Sequence, residues 1–282
     1  MKKKNKLNVS SPFLPDNLKK LLTDKSPFAI REAYGTCRTR LMFTQRGEEH
    51  PVFAITSPEP GDGKTISAIN TAISFARTGK KTLIIDMDLR NASVHRYFQN
   101  GGNSSSSGLS EYLAGMKNEV IIKPTLQENL FLLPAGFTPP NPAELLSSDK
   151  LRTVIDTLRA EFDYIFIDTP PVNLVSDAAL LAGICTGYII VARVGKTRSA
   201  DLRRAINALQ MVNGHISGVL MNDVSGEGRH YSSYYDYHKS RYYYHGYSGH
   251  DKQERLDESG TSIKIEQPQK QNAAKQLEGE TK

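Results

Sequence analysis

Residues 52–65 read VFAITSPEPGDGKT. The first four of them, Val52–Ile55, form an apolar run that indicates a buried strand, and a helical pattern follows Thr65. Glycines in such a loop let backbone N–H groups point at phosphate oxygens, and the helix N-terminus adds partial positive charge. The strand, glycine loop and helix therefore predict a phosphate-binding loop.

The loop matches the pattern GxxxxGK[ST] at all but one position, because Pro58 stands where the first glycine is expected. Lys64 can reach the β- and γ-phosphates of a nucleotide, and the Thr65 hydroxyl can hold Mg²⁺. A tight turn with a lysine at the helix start is the alternative. A dinucleotide loop would need glycine where Ile66 stands. The residues expected to contact nucleotide here are Gly61, Asp62, Gly63, Lys64, Thr65 and Ile66.

Two more apolar runs end in carboxylates. Residues 83–90 read LIIDMDLR and contain Asp86 and Asp88, and residues 164–171 read YIFIDTPP and contain Asp168. Because the carboxyl ends of parallel strands meet at one edge of a sheet, we expect all three carboxylates beside the phosphate loop. Any one of them alone can be an ordinary turn residue, but together they indicate a site for a metal ion and a triphosphate.

The rest of the chain alternates predicted strands with predicted helices. The strands are 52–55, 82–85, 130–133, 164–167, 188–191 and 216–221, and the helices are 64–78, 148–161, 176–184 and 199–212, with another beginning at Ser26-Pro27. This alternation predicts an α/β fold with a mainly parallel central sheet flanked by helices on both faces.

Composition and charge exclude several classes of protein. The chain has 282 residues, 38% of them hydrophobic, which is enough for a core. The net charge is +6, and residues 1–20 carry +5 of it while residues 251–282 carry −1. The part between is therefore not a basic nucleic-acid binder, and no nucleic-acid partner is expected. The two cysteines form no CxxC pair, which excludes a cysteine zinc cluster. No run of 18 apolar residues exists, so we expect a cytoplasmic chain that does not itself span a membrane.

The C-terminal part has a tyrosine cluster, with eight of the 13 tyrosines between residues 231 and 247. A buried strand would pair them with aliphatic residues at period two. Here the neighbours are polar, so we expect exposed phenols, either as modification sites or as an aromatic binding tail. The eight are Tyr231, Tyr234, Tyr235, Tyr237, Tyr242, Tyr243, Tyr244 and Tyr247.

The three motifs together resemble those of a known family. GDGKT at 61–65, LIIDMDLR and YIFIDTPP are similar to the Walker A, Walker A′ and Walker B motifs of the bacterial protein-tyrosine kinases, or BY-kinases. These kinases are P-loop NTPases of the deviant Walker A type. The resemblance covers about residues 26–247, including residues 138–147 and the tyrosine cluster. Other P-loop ATPases share each Walker motif, but the D-x-D-x-R form of the second motif together with the tyrosine cluster is more specific to the BY-kinases.

The resemblance implies the domain organisation and the activity. It implies a P-loop kinase domain over 26–228 and a tyrosine autophosphorylation cluster over 229–250. The composition of the two ends predicts a basic flexible arm over 1–25 and a disordered polar tail over 251–282. The activity would be ATP- and Mg²⁺-dependent tyrosine phosphorylation that regulates capsular or exopolysaccharide biosynthesis. The implied partners are further copies of the chain, a tyrosine phosphatase, and a membrane activator of the polysaccharide co-polymerase type that recruits the kinase to the inner membrane face.

The resemblance also implies roles for single residues. Lys64 would bind phosphates, Asp88 and Asp168 would hold the metal with Thr65, and Asp86 would be the base for the incoming tyrosine, although the three carboxylate roles could be permuted. Two further assignments have structural alternatives, since Arg90 could assist the phosphates or form a surface ion pair. Likewise, Asn222 could contact adenine or cap a turn.

The first predicted helix resembles the ExxRxxR oligomerisation motif incompletely. Glu32 and Arg38 match, but Gly35 stands where an arginine is expected. We therefore expect weak assembly, and the alternative is an ordinary packed helix.

Two other functions stay open from the sequence. One is an ATPase of the partitioning or division-site type, and the other is a non-catalytic nucleotide-dependent scaffold, in which Gly35 and Pro58 would be signs of decay.

Overall fold

The computed structural model describes residues 20–45, 47–98 and 107–224, together with the backbone of residues 261–264. The tyrosine cluster lies outside these residues. The strands in the described part are β1 (Val52–Thr56), β2 (Thr82–Asp86), β3 (Glu119–Pro124), β4 (Leu130–Leu133), β5 (Tyr164–Asp168), β6 (Gly187–Arg193), β7 (Ile216–Asn222) and β8 (Thr261–Lys264).

The helices are arranged around this sheet, and two 3₁₀ turns, Val94–Tyr97 and Ala179–Leu181, lie between them. Within the described ranges, no helix is both long and apolar enough to cross a bilayer. The helices are α1 (Phe28–Thr44), α2 (Lys64–Ala76), α3 (Leu109–Leu113), α4 (Pro142–Leu146), α5 (Asp149–Arg159) and α6 (Ser199–Met211).

One sheet runs through the molecule in the order β7-β6-β1-β5-β2-β4-β3-β8. All pairs from β7 to β4 are parallel, whereas β3 is antiparallel to both β4 and β8. The predicted α/β class with a mainly parallel sheet is confirmed, and all six predicted strands form. β1 is an interior strand that pairs with β6 and β5, so the phosphate loop that follows it is flanked by strand ends on both sides at the carboxyl edge.

Helices pack on both faces of the sheet. On one face, Ile69 and Ile73 of α2 are buried against Phe53 and Phe166. Every residue of α2 from Ser67 to Ala76 is buried, because α1 covers its other side. On the opposite face, α5 and α6 close a second core. The two layers fix the position of α2, and therefore of the loop that precedes it.

The structure differs from the sequence prediction at several elements. Residues 176–184 contain a 3₁₀ turn, Ala179–Leu181, instead of a helix, and β3, α3 and α4 were not predicted. Another difference concerns the predicted disordered tail over 251–282, because the backbone of Thr261–Lys264 forms a strand. It pairs with Glu119–Ile122, the otherwise unpaired side of β3. The remainder of that tail lies outside the described residues.

Candidate nucleotide site

The loop between β1 and α2 has the backbone of a phosphate-binding loop. Gly61 and Gly63 both lie in the left-handed region, with φ of 80° and 93°, which residues with side chains rarely adopt. α2 begins at Lys64, immediately after Gly63. The first backbone N–H groups of a helix have no partner within it, so they can bind an anion.

Lys64 lies between carboxylates from two different strand ends. Its Nζ is 3.1 Å from Asp88 Oδ2 and 3.5 Å from Asp168 Oδ1. Burial alone would lower the pKa of Lys64, but the charges of Asp168 and Asp88 raise it above its ordinary value. The amine therefore stays protonated and supplies a fixed positive charge beside the glycine loop.

Asp86 and Asp168 lie side by side, because β2 and β5 pair these two residues in register. Both are fully buried. Thr65 Oγ1 donates a hydrogen bond of 2.7 Å to Asp168 Oδ2, and the backbone N–H groups of Ser93 and Val94 donate to Asp86 Oδ2, each at 2.9 Å. Burial, followed by the charge of Asp168, raises the pKa of Asp86 to about 7. Two buried acidic groups thus face each other beside the loop.

The residues present fit a Mg²⁺ ion that is shared with a nucleotide. In the part of the chain that the structure describes, Asp86 Oδ1 and Asp168 Oδ1 are buried without a hydrogen-bond partner, although Asp168 Oδ1 lies 3.5 Å from Lys64 Nζ. Buried carboxylate oxygens without hydrogen bonds are costly, and a divalent cation can satisfy them. No cluster of three or more His, Cys, Asp or Glu ligands occurs in the same ranges. Nucleotide-site Mg²⁺, however, takes only one or two carboxylates and completes its shell with phosphate oxygens and waters.

The loop and the strand ends line a cleft of about 340 Å³. The predicted residues on its wall are Gly61, Gly63, Lys64, Thr65, Ile66, Asp88 and Arg90. Asp88 is the carboxylate of the three that lines the cleft. Four further lining residues were not predicted, namely Ser93, Tyr97, Leu174 and Val175. They belong to no motif, and the sequence offers only their position after strands that end at this edge.

Arg90 pairs with a carboxylate of the protein. Its Nε and Nη2 donate to the two oxygens of Asp177 at 2.8 and 2.9 Å, and Asp177 is fully buried. The ion-pair alternative for Arg90 is therefore observed, although Asp177 is a buried partner and joins the segment after β2 to the one after β5. A phosphate contact by Arg90 stays a prediction.

Asn222 and Asp62 support the loop from behind. Asn222 Nδ2 donates to the backbone carbonyl of Asp62 at 2.9 Å. The Asp62 side chain is fully buried and accepts a hydrogen bond of 3.2 Å from the backbone N–H of Glu59. Both residues thus belong to the loop region, and their contacts with nucleotide stay predictions.

The two candidate oligomerisation residues, Glu32 and Arg38, have different environments. Glu32 is exposed, whereas Arg38 Nη1 donates to the carbonyl and hydroxyl oxygens of Ser74 at 2.8 and 3.0 Å. Within one chain, Arg38 therefore joins α1 to α2, as the packed-helix alternative expects. A role for either residue between chains stays a prediction.

Comparison with known proteins identifies the family to which this nucleotide site belongs. Residues 51–217 match the family described as AAA domain. The tyrosine-protein kinase CpsD of Streptococcus agalactiae is 34% identical over 209 residues, which are 74% of this chain and 90% of CpsD. The kinase domain of the Escherichia coli tyrosine kinase ETK superposes with a TM-score of 0.64 at 30% identity, over 74% of this chain and 86% of that domain.

A division-site ATPase is also similar, but less so. The cell division ATPase MinD of Pyrococcus furiosus has a TM-score of 0.52 and 27% identity over 63% of this chain and 74% of its own. The kinases match more of the chain with higher identity and a higher TM-score. The chain therefore belongs to the AAA-domain family of bacterial capsule and exopolysaccharide tyrosine-protein kinases.

Proposed function

We propose that this tyrosine kinase transfers the γ-phosphoryl group of ATP to the tyrosines of the C-terminal cluster, between residues 231 and 247, of a neighbouring copy of the chain. The observation that carries the proposal is the position of Lys64, held between Asp88 and Asp168 at the end of a glycine loop. Phosphoryl transfer needs positioning and charge neutralisation above all. A fixed ammonium beside a phosphate loop supplies both.

The transfer can be written with the residues of this cleft. A tyrosine oxygen forms a bond to the γ-phosphorus, the bond from that phosphorus to the β–γ bridging oxygen breaks, and ADP leaves. The phenolic proton passes to a carboxylate of the cluster. Asp86 is the proposed base by family resemblance, while Asp88 lines the cleft. The base and ligand roles of the carboxylates therefore stay interchangeable.

The proposed metal ligands are Thr65, Asp88 and Asp168. Bound Mg²⁺ neutralises charge on the phosphate oxygens. Asp168 is suited to this role because its Oδ1 is buried without a hydrogen-bond partner in the described residues. Thr65 is suited because its hydroxyl already contacts that carboxylate.

The proposed regulation follows from the charge of the cluster. Each phosphate adds about −1.5 to −2 charges, so several would reverse the local positive charge of Lys239 and Arg241. We infer looser assembly after modification, and reversal by a tyrosine phosphatase. A membrane activator of the polysaccharide co-polymerase type would recruit the chain to the inner membrane face, where it regulates polysaccharide synthesis.

One experiment separates this function from its two alternatives. Purified protein is incubated with labelled ATP and Mg²⁺, with and without the cytoplasmic tail of a candidate activator, and phosphotyrosines are mapped. Label on tyrosines of the cluster supports the kinase. Phosphate release without tyrosine label indicates a partitioning-type ATPase. Nucleotide binding without either product indicates a scaffold, and each of these two results contradicts the proposal.

A further inference from the structure

Three successive carbonyl groups of the phosphate loop each accept a hydrogen bond from a side chain at the β6–β7 side of the sheet. All three donors come from residues more than 130 positions later in the chain, at or just beyond the carboxyl ends of β6 and β7. The pairs are Lys196 Nζ with the Pro60 carbonyl, Arg193 Nη1 with the Gly61 carbonyl at 3.4 Å, and Asn222 Nδ2 with the Asp62 carbonyl at 2.9 Å.

The glycines of the loop leave the space that these donors occupy. A Cβ atom at Gly61 would lie 2.7 Å from Lys196 Nζ, and one at Gly63 would overlap Asn222 Nδ2. A side chain at either glycine would therefore displace a donor, in addition to straining a backbone with positive φ. Glycine at positions 61 and 63 is therefore needed for Lys196 and Asn222 to reach the loop carbonyls.

Lys196 has a second contact with the loop. Its Nζ is 3.6 Å from Asp62 Oδ1, a buried oxygen without a hydrogen-bond partner in the described ranges. Because an isolated buried carboxylate is costly, the nearby ammonium stabilises it. Lys196 thus holds both a carbonyl and a buried charge of the loop, although 44% of its own side chain is exposed.

The peptide group explains what these contacts do. It is planar and trans, so a carbonyl and the N–H of the next residue point to opposite sides. Holding the carbonyls of residues 60, 61 and 62 on the outer side directs the N–H groups of residues 61, 62 and 63 to the inner side. N–H donors that are already aligned need no reorganisation when an anion binds.

We propose that Lys196, Arg193 and Asn222 are positioning residues that orient the phosphate loop for the phosphates of ATP, with Lys196 the main one. The inference rests on the proposed function, in which this loop binds ATP. Arg193 also forms an ion pair of 2.7 Å with Asp223, the residue after β7. The end of the kinase sheet, from which the chain continues to the tyrosine cluster, is therefore joined to the phosphate loop.

The test compares nucleotide binding by Lys196→Met, Lys196→Arg and a control, Lys80→Met, in the full-length chain. Lys80 is a half-exposed lysine that also contacts an aspartate, Asp163, but it precedes β2 at the opposite edge of the sheet. A fluorescent ATP analogue is titrated with Mg²⁺, and AMP is measured by competition. We expect Lys196→Met to weaken binding of the ATP analogue about tenfold. Lys196→Arg should restore it, while AMP binding and the control should stay near wild type.

Three results would overturn the inference while the wild-type chain binds the ATP analogue. They are an unchanged affinity in Lys196→Met, an equal loss for AMP, and a failure of Lys196→Arg to restore binding. If the wild-type chain does not bind the analogue, the proposed function fails first and the inference falls with it. Should Lys196→Met fold poorly, as judged by its unfolding midpoint, Lys196→Gln is measured in its place against the same criteria.

Discussion

At the scale of single residues, Lys64 has the most direct role, because its ammonium touches carboxylates from two strands and follows the glycine loop. Lys64→Met should keep the fold and lower phosphoryl transfer at least about 100-fold, since the transition state loses a preorganised positive charge. Phosphotyrosine formation with ATP in excess measures this, with Lys80→Met as the control. Incorporation at the wild-type level in Lys64→Met would contradict the assignment of the site.

The carboxylates give the second prediction at this scale. Asp168→Asn and Asp86→Asn should each lower phosphorylation at least about tenfold, the low end for losing a base or a metal ligand. Asp168→Asn should also weaken the dependence of the rate on Mg²⁺, because its carboxylate contacts Thr65. Initial rates over a Mg²⁺ series provide the measurement. Asp156→Asn, an exposed position on α5, is the control, and full activity in both test variants would refute the proposed roles.

The sequence predicted the loop and the three carboxylates, because these residues follow strands that end at one edge of the sheet. It did not predict the support from Lys196 and Arg193. The acceptors of these side chains are backbone carbonyls, which have the same chemistry in every residue and leave no pattern in the sequence. An ion pair was one alternative for Arg90, but its partner Asp177 was not predicted, because the two residues lie 87 positions apart and meet only through the topology.

At the scale of elements, burial explains which predictions succeeded. The central strands β1, β2 and β5 are buried at every position, so each is a continuous apolar run. β3 has exposed and buried residues in turn, with charged Glu119 and Lys123 among them, and its apolar signal is accordingly weak. Residues 176–184 have a composition that favours a helix. In the structure, however, Arg90 binds Asp177 at the start of this segment, and the segment forms a 3₁₀ turn at Ala179–Leu181.

Gly35 provides a prediction for α1. It lies inside the helix, and a Cβ atom there would meet nothing within 4 Å. Gly35→Ala should therefore raise the free energy of unfolding by about 1 kcal/mol, the helix-propensity difference between the two residues. Chemical denaturation measures it. Gly187→Ala is the contrasting variant, because its Cβ would overlap Ser217 Oγ, and it should destabilise. Lower stability of Gly35→Ala would contradict the described packing of α1.

At the scale of the whole molecule, weak self-association stays a prediction. Arg38 is engaged by Ser74 of its own chain, and Gly35 offers no side chain to a neighbour. We expect the purified chain to be mostly monomeric or weakly associated at micromolar concentration, and to assemble further with an activator. Sedimentation velocity tests this. A stable large ring formed by the isolated chain would show the prediction to be wrong.

The most direct test of the central claim, transfer of phosphate to the tyrosine cluster of a neighbouring copy, is a mixture of two variants. One is a full-length Lys64→Met chain, which keeps the cluster but lacks the loop lysine. The other is an active chain truncated after residue 228, which keeps the site but lacks the cluster. With labelled ATP and Mg²⁺, we predict phosphotyrosine on the Lys64→Met chain, within residues 231–247. If that chain stays unlabelled while the truncated chain phosphorylates other proteins, transfer between copies of this kinase is contradicted.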